Sequence, residues 1–310
     1  MAVLFHSFDI RTRARAIGRD LESLMLGSLN SVRTLLATFV MTVALGAAAA
    51  KAGVDPVFTK LTEAKSPAIV TIKFVLKISM GGSDEERETE IAGVMIDEGG
   101  MVMASNLQLG GVSEAMRSFM SQGMSMTPKD IKVLVGEDTE GVEAKLVARD
   151  SELDLAWVQI SKKPEKPYAS IDFSAGTKAV QGQTLYSLER LGKFFDRTPT
   201  VNSFEVGAIV SKPRKLFVPS ERLGAGLGTP IFSSDMTVIG VTVLQLPSKE
   251  ELEAEQGMMG ASRGVGEVIL PCEDVASAIK KAKEAAASGK PVDEPVAAPA
   301  ANAEDKKEEK

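Results

Sequence analysis

Short apolar stretches rich in Val and Ile recur along the middle of the chain. The first set reads AIVTIKFVLKI (68 to 78), EIAGVMID (90 to 97), MVMAS (101 to 105), IKVLVG (131 to 136), VEAKLVARD (142 to 150) and LAWVQI (155 to 160). Most are separated by Gly, Asp or Ser, so each is a predicted strand bounded by turns. A second set follows: YASIDF (168 to 173), TLYSLE (184 to 189), VGAIVSK (206 to 212), KLFV (215 to 218), TPIFS (229 to 233), TVIGVTVLQL (237 to 246) and GEVIL (266 to 270). It ends in CEDVASAIKKAKEAAA, which has helical character. About six strands twice over with a closing helix predict an all-β chain of two antiparallel β-barrels in tandem, not an α/β fold. Periodicity alone leaves a β-sandwich open.

The two ends read differently. Arg11, Arg13, Arg15, Arg19 and Arg33 precede the apolar run LLATFVMTVALGAAAA from Leu35 to Ala50, and Ala48, Ala49 and Ala50 supply the small residues of a secretory cleavage site. Residues 1–50 are therefore expected to be a leader and signal peptide, with the mature chain starting near Lys51 and Met25 offering a neater start. The run is shorter than the ~20 residues that cross a bilayer, which makes an uncleaved anchor the alternative. From Glu284 the chain turns Ala- and Pro-rich and then charged, with no aromatic residue, and residues 284–310 are expected to be a disordered tail. Between them lie a lead-in at 51–66, a first barrel at 67–163 and a second barrel with its closing helix at 164–283.

Composition narrows the chemistry. The chain of 310 residues is 44% hydrophobic and 25% charged, with a net charge of −6, which recommends neither nucleic acid nor an anionic membrane surface as a partner. Membrane contact is expected only through the N-terminal run if it is retained. The single cysteine, Cys272, rules out an internal disulfide, and its LPCED context suggests a small buried side chain. The only histidine is His6, inside the leader. No cofactor and no metal are expected. Residues 224 to 232 read GAGLGTPIF, and glycine at that density suits a loop whose amides point at a ligand, yet Leu227 at its centre offers no chemistry.

These residues carry a resemblance. AGVMIDEGGMVMASNLQL resembles the stretch around the catalytic histidine of the HtrA/Deg trypsin-like serine proteases, and VEAKLVARDSELDLAWVQI resembles the one carrying their aspartate. GAGLGTPIF with TVIGVTVL resembles their nucleophile loop, and GVGEVILP their G-I-G-F-A-I-P. Order and spacing agree across residues 66 to 281. The resemblance implies a chymotrypsin-like double barrel in which the family's histidine, aspartate and serine fall on Leu107, Asp154 and Leu227, and the remnant oxyanion loop on Ala225, Gly226 and Leu227. Leucine can neither take a proton nor attack a carbonyl, so an inactive protease homologue is expected. Asp154 then has a structural part to play, and the two leucines are expected to act as buried plugs. Thr229 is the nearest hydroxyl to the nucleophile position.

Two departures accompany the resemblance. No peptide-binding PDZ domain is recognisable after the barrels. Residues 110–130 form an insertion in which Met116, Phe119, Met120, Met124 and Met126 suggest the apolar face of a short helix, a lid or adaptable binding surface beside the cleft. The expected function is an exported, periplasmic or otherwise extracytoplasmic scaffold that binds a peptide or envelope protein without cleaving it. The alternative is a hydrolase of the serine-endopeptidase type with a rearranged site.

Overall fold

The computed structural model describes residues 55–80, 82–112, 125–212, 214–221, 223, 226–246 and 266–288. Helix α1 (Pro56–Lys65) and a short 3-10 turn (Ser66–Ala68) lead into the first barrel. Its strands are β1 (Ile69–Met80), β2 (Ser83–Met95), β3 (Met101–Ser105), β4 (Ser125–Leu134), β5 (Val142–Asp150) and β6 (Leu155–Ile160). The second barrel holds β7 (Thr184–Arg190), β8 (Pro199–Val210), β9 (Leu216–Pro219), β10 (Pro230–Phe232), β11 (Val238–Gln245) and β12 (Gly266–Pro271), followed by helix α2 (Cys272–Ser288).

Both sheets close. The first runs β1-β2-β3-β6-β5-β4 and the second β7-β8-β9-β12-β11-β10, so one strand order occurs twice. Every pairing is antiparallel, and the closing pairs are β1 with β4 (Thr71 opposite Leu134) and β7 with β10 (Ser187 opposite Ile231). Closure removes the sandwich as an alternative. This is the trypsin-like double barrel.

Alternating inward residues fill each barrel. Trp157, Phe74, Ile72 and Met103 are fully buried in the first, and Leu185, Phe217, Ile231, Ile239 and Ile269 in the second. Helix α2 buries Cys272, Val275, Ala278 and Ala282 along one stripe, packing on β5 of the first barrel and β11 of the second. Lys283 adds an ion pair to Asp97 at 3.0 Å.

Three sequence expectations change. YASIDF is not a strand: Asp172 accepts from Ser174 N at 2.9 Å and caps a 3-10 turn (Phe173–Ala175), while Ile171 N donates to Met95 O as the segment straps the first barrel. Strand β2 begins at Ser83, not Glu90; its outer half is exposed on both faces and is held by main-chain pairing to β1, so no apolar alternation marks it. The end of the supposed insertion is also strand, with Met126 opposite Ile78, so Met126 is on a sheet and not on the helical face expected for it. Met116, Phe119, Met120 and Met124 lie outside the described residues.

Polar clamps join the barrels. Arg190 at the end of β7 donates to Ile69 O at 2.6 Å, Ser66 O at 3.2 Å and Arg197 O at 3.1 Å. Arg197 in turn forms a two-pronged pair with Glu90 of β2, at 3.0 and 2.7 Å. Arg214 bonds Glu152 across the same boundary, and Gln245 Nε2 donates to Glu152 O. Replacing Arg190 with Ala is expected to cost about 2 kcal/mol, because charged donors are lost from half-buried carbonyls; urea denaturation measures it.

Candidate functional site

Strand β3 runs off into a tight turn that carries Leu107. Leu109 N donates to Ser105 O, Gly110 N to Leu107 O and Gly111 N to Asn106 O. Arg149 of β5 staples the turn, donating to Asn106 Oδ1 at 2.6 Å and to Leu109 O at 2.8 Å. On the neighbouring β5–β6 turn, Asp150 Oδ1 accepts from Glu152 N and Leu153 N, and the chain then passes through the left-handed region at Asp154, with φ 58°. Asp tolerates that conformation better than most residues. It aims the carboxylate back at the β3 end.

The Asp154 carboxylate is 5% exposed and fully engaged. It accepts from Leu107 N at 2.8 Å, from Ser105 Oγ at 3.0 and 3.1 Å, and from Leu244 N of β11 at 3.1 Å. Asn106 N also donates to its main-chain O, at 3.1 Å. Burial pushes the carboxyl up from the ordinary carboxylate range, and the donated hydrogen bonds offset only part of that rise. Asp154 holds the main chain at position 107 and bridges the two barrels.

Facing this is the loop of Gly226, Leu227 and Gly228; Ala225 lies outside the described residues. Gly226 N donates to Glu189 Oε2 at 2.8 Å, Gly228 N to Thr242 O at 2.8 Å and Thr229 N to Thr242 Oγ1 at 2.9 Å. Thr242 Oγ1 donates onward to Gly226 O at 2.7 Å. Gly228 has φ 81°, and a Cβ there would sit 2.8 Å from Ser105 N. The loop therefore seats directly on the end of β3, which brings Ser105, Asp154, Gly228 and Leu244 together with the turns that carry Leu107 and Leu227.

The two leucines depart from expectation in one respect. Both are partly exposed and neither belongs to the buried core, so the site has not become barrel interior. The turns that carry them are pinned by main-chain hydrogen bonds, and the side chains stay partly open to solvent. Thr229 is 1% exposed and its Oγ1 has no partner, as is true of Ser187 Oγ on β7. A substrate cannot reach it. Sequence reasoning missed Glu189, Thr242 and Ser105. Glu189 is a lone acid in TLYSLE whose meaning depends on a loop far along the chain; burial pushes its carboxyl up, with the Gly226 N–H opposing. Cys272 is buried, its Sγ 3.5 Å from Thr177 O, and burial raises its thiol as well. Among the described residues no three His, Cys, Asp or Glu side chains cluster as metal ligands.

No family model matches the chain, and no curated protein is similar to it. Solved structures are. The MamO protease domain from Magnetospirillum magneticum, in its apo form, is 16% identical over 69% of this chain and 97% of its own, with a TM-score of 0.42. The HtrA-type protease AlgW with a decapeptide is 17% identical over 73% of this chain and 66% of its own, TM-score 0.48. Deg5 is 16% identical over 71% and 90%, TM-score 0.46. Similarity this distant speaks to the fold alone, and the trypsin-like class rests on the strand order itself.

Two outcomes follow from the geometry. Gly228→Ala is expected to destabilise the protein by roughly 2 to 4 kcal/mol, since it adds left-handed strain to a main-chain collision with β3; thermal unfolding reads it. For Asp154 the folded carboxyl lies above its unfolded value, so the folded state binds the extra proton. Its contribution to stability is full below the unfolded value and is lost as pH rises through the folded one. The stability difference between wild type and Asp154→Asn, followed by urea denaturation against pH, is expected to shrink as pH rises through that window.

Proposed function

We propose that this chain is an exported protein on a protease frame that binds a peptide or another envelope protein in the inter-barrel cleft and does not cleave it. The observation that carries this reading is the state of Asp154. A serine-protease triad uses its aspartate to orient an imidazole that takes the nucleophile's proton. Here the carboxylate is spent on Leu107 N, Ser105 Oγ and Leu244 N, and the residues at 107 and 227 are aliphatic. The sole histidine lies in the N-terminal leader. The loop amide at Gly226, a position the resemblance places in the oxyanion loop, is held by Glu189. Export is supported by the arginine-flanked apolar run and the small residues that end it. The partly exposed Leu107 and Leu227 offer apolar contact where chemistry would otherwise take place.

Purified protein is expected to leave unfolded casein intact at the rate of a blank. A stricter test rebuilds the parts. Leu107→His with Leu227→Ser should react with a fluorophosphonate probe well above Leu227→Ser alone, both checked for folding by circular dichroism. The gain is expected to be faint because the Asp154 oxygens are already committed to Ser105, Leu107 and Leu244. Casein turnover that survives purification of the wild type to homogeneity would overturn the reading, and so would equal labelling of the two folded variants.

A further inference from the structure

The β7–β8 connection projects bulky apolar side chains into water from a turn too well made to be slack. Leu191 N donates to Thr198 O, Phe195 N to Gly192 O, Asp196 N to Lys193 O and Thr198 N to Phe195 O. A 3-10 turn (Lys193–Phe195) followed by left-handed Asp196 and Arg197, each with φ 52°, reverses the chain. Its base is clamped by Arg190 to Arg197 O and by Arg197 to Glu90. Yet Phe194 is 89% exposed, Phe195 58% and Leu191 37%. The two phenyl rings meet edge to face, with centroids 5.0 Å apart and planes at 86°. Burial of either ring would be favourable, so a closely hydrogen-bonded turn that holds both out forgoes that stabilisation unless something covers them.

We propose that this turn is a bilayer-contact wedge whose Phe194 and Phe195 rings enter the boundary between headgroups and acyl chains. The surface is a convex tip and not a groove, a shape that a fluid apolar layer accommodates without a matching pocket. The chain itself supplies the link to a membrane. The apolar run that ends at Ala50 is followed closely by α1, which begins at Pro56. Phe58 of α1 rests edge-on against Tyr186 of β7, at 6.0 Å and 89°, and β7 is the strand that leads into the turn. Helix α1, which follows that run in the sequence, thus packs against the strand that leads into the turn. The contact is apolar, with Lys193 and Asp196 of opposite sign beside it, so it calls for no anionic lipid.

The test uses the full chain with Phe194→Trp, at a site exposed enough to take the larger ring. The one natural tryptophan, Trp157, is fully buried inside the first barrel, and the parent protein supplies its signal as a blank. With phosphatidylcholine vesicles the added emission should shift to the blue, and vesicles with brominated acyl chains should quench it, as an interfacial side chain requires. Phe195→Trp should be quenched less, as its lower exposure requires. Vesicle-bound protein whose added emission stays water-like and unquenched would overturn the proposal, as would failure of the chain to associate with vesicles. A blue shift that appears without lipid and grows with protein concentration would do the same, since a second copy would then cover the rings.

Discussion

One buried carboxylate ties this fold together at its centre. Asp154 accepts from the main chain at Leu107 and the hydroxyl of Ser105 in the first barrel, and from the main chain at Leu244 in the second. Burial makes its charge costly, and that cost is tolerable only while the donors converge on it. The donors belong to the end of β3, the turn after it and strand β11, and the β5–β6 turn that carries Asp154 must keep register with all three. The clamps made by Arg190, by Arg197 with Glu90 and by Arg214 with Glu152 fix the same relation from other sides.

Around that carboxylate the loop of Gly226 to Thr229 is held as tightly as a reactive loop would be, without a reactive group. Thr242 binds it at Gly226 O and Thr229 N, Glu189 takes the Gly226 amide, and Gly228 lies on the backbone of β3. Partly exposed leucines at 107 and 227 sit at its margins. Main-chain groups of the loop are satisfied internally, while Leu107 and Leu227 stay partly exposed.

The legible strands are short runs rich in buried apolar residues and bounded by turns. MVMAS, VEAKLVARD and LAWVQI were read with the bounds that β3, β5 and β6 adopt, because their apolar residues point into a closed barrel. The outer part of β2, SDEERE, has no apolar residue: it is exposed on both faces and owes its extended form to pairing with β1. YASIDF failed for the opposite reason, since its apolar residues are buried against the first barrel while Asp172 turns its backbone.

By itself the sequence determined the all-β character of the chain and the restriction of its one imidazole to His6, because these follow from local pattern and residue type, while positions 107, 154 and 227 were indicated only through the resemblance. Tertiary structure alone decided what Asp154 binds, that Glu189 reaches the Gly226 amide, that the two leucines stay partly exposed, and that Phe194 and Phe195 stand in water on a hydrogen-bonded turn. Those facts depend on groups brought together from distant parts of the chain. A hydrogen bond between Asp154 and Leu244 becomes visible only once both barrels have closed.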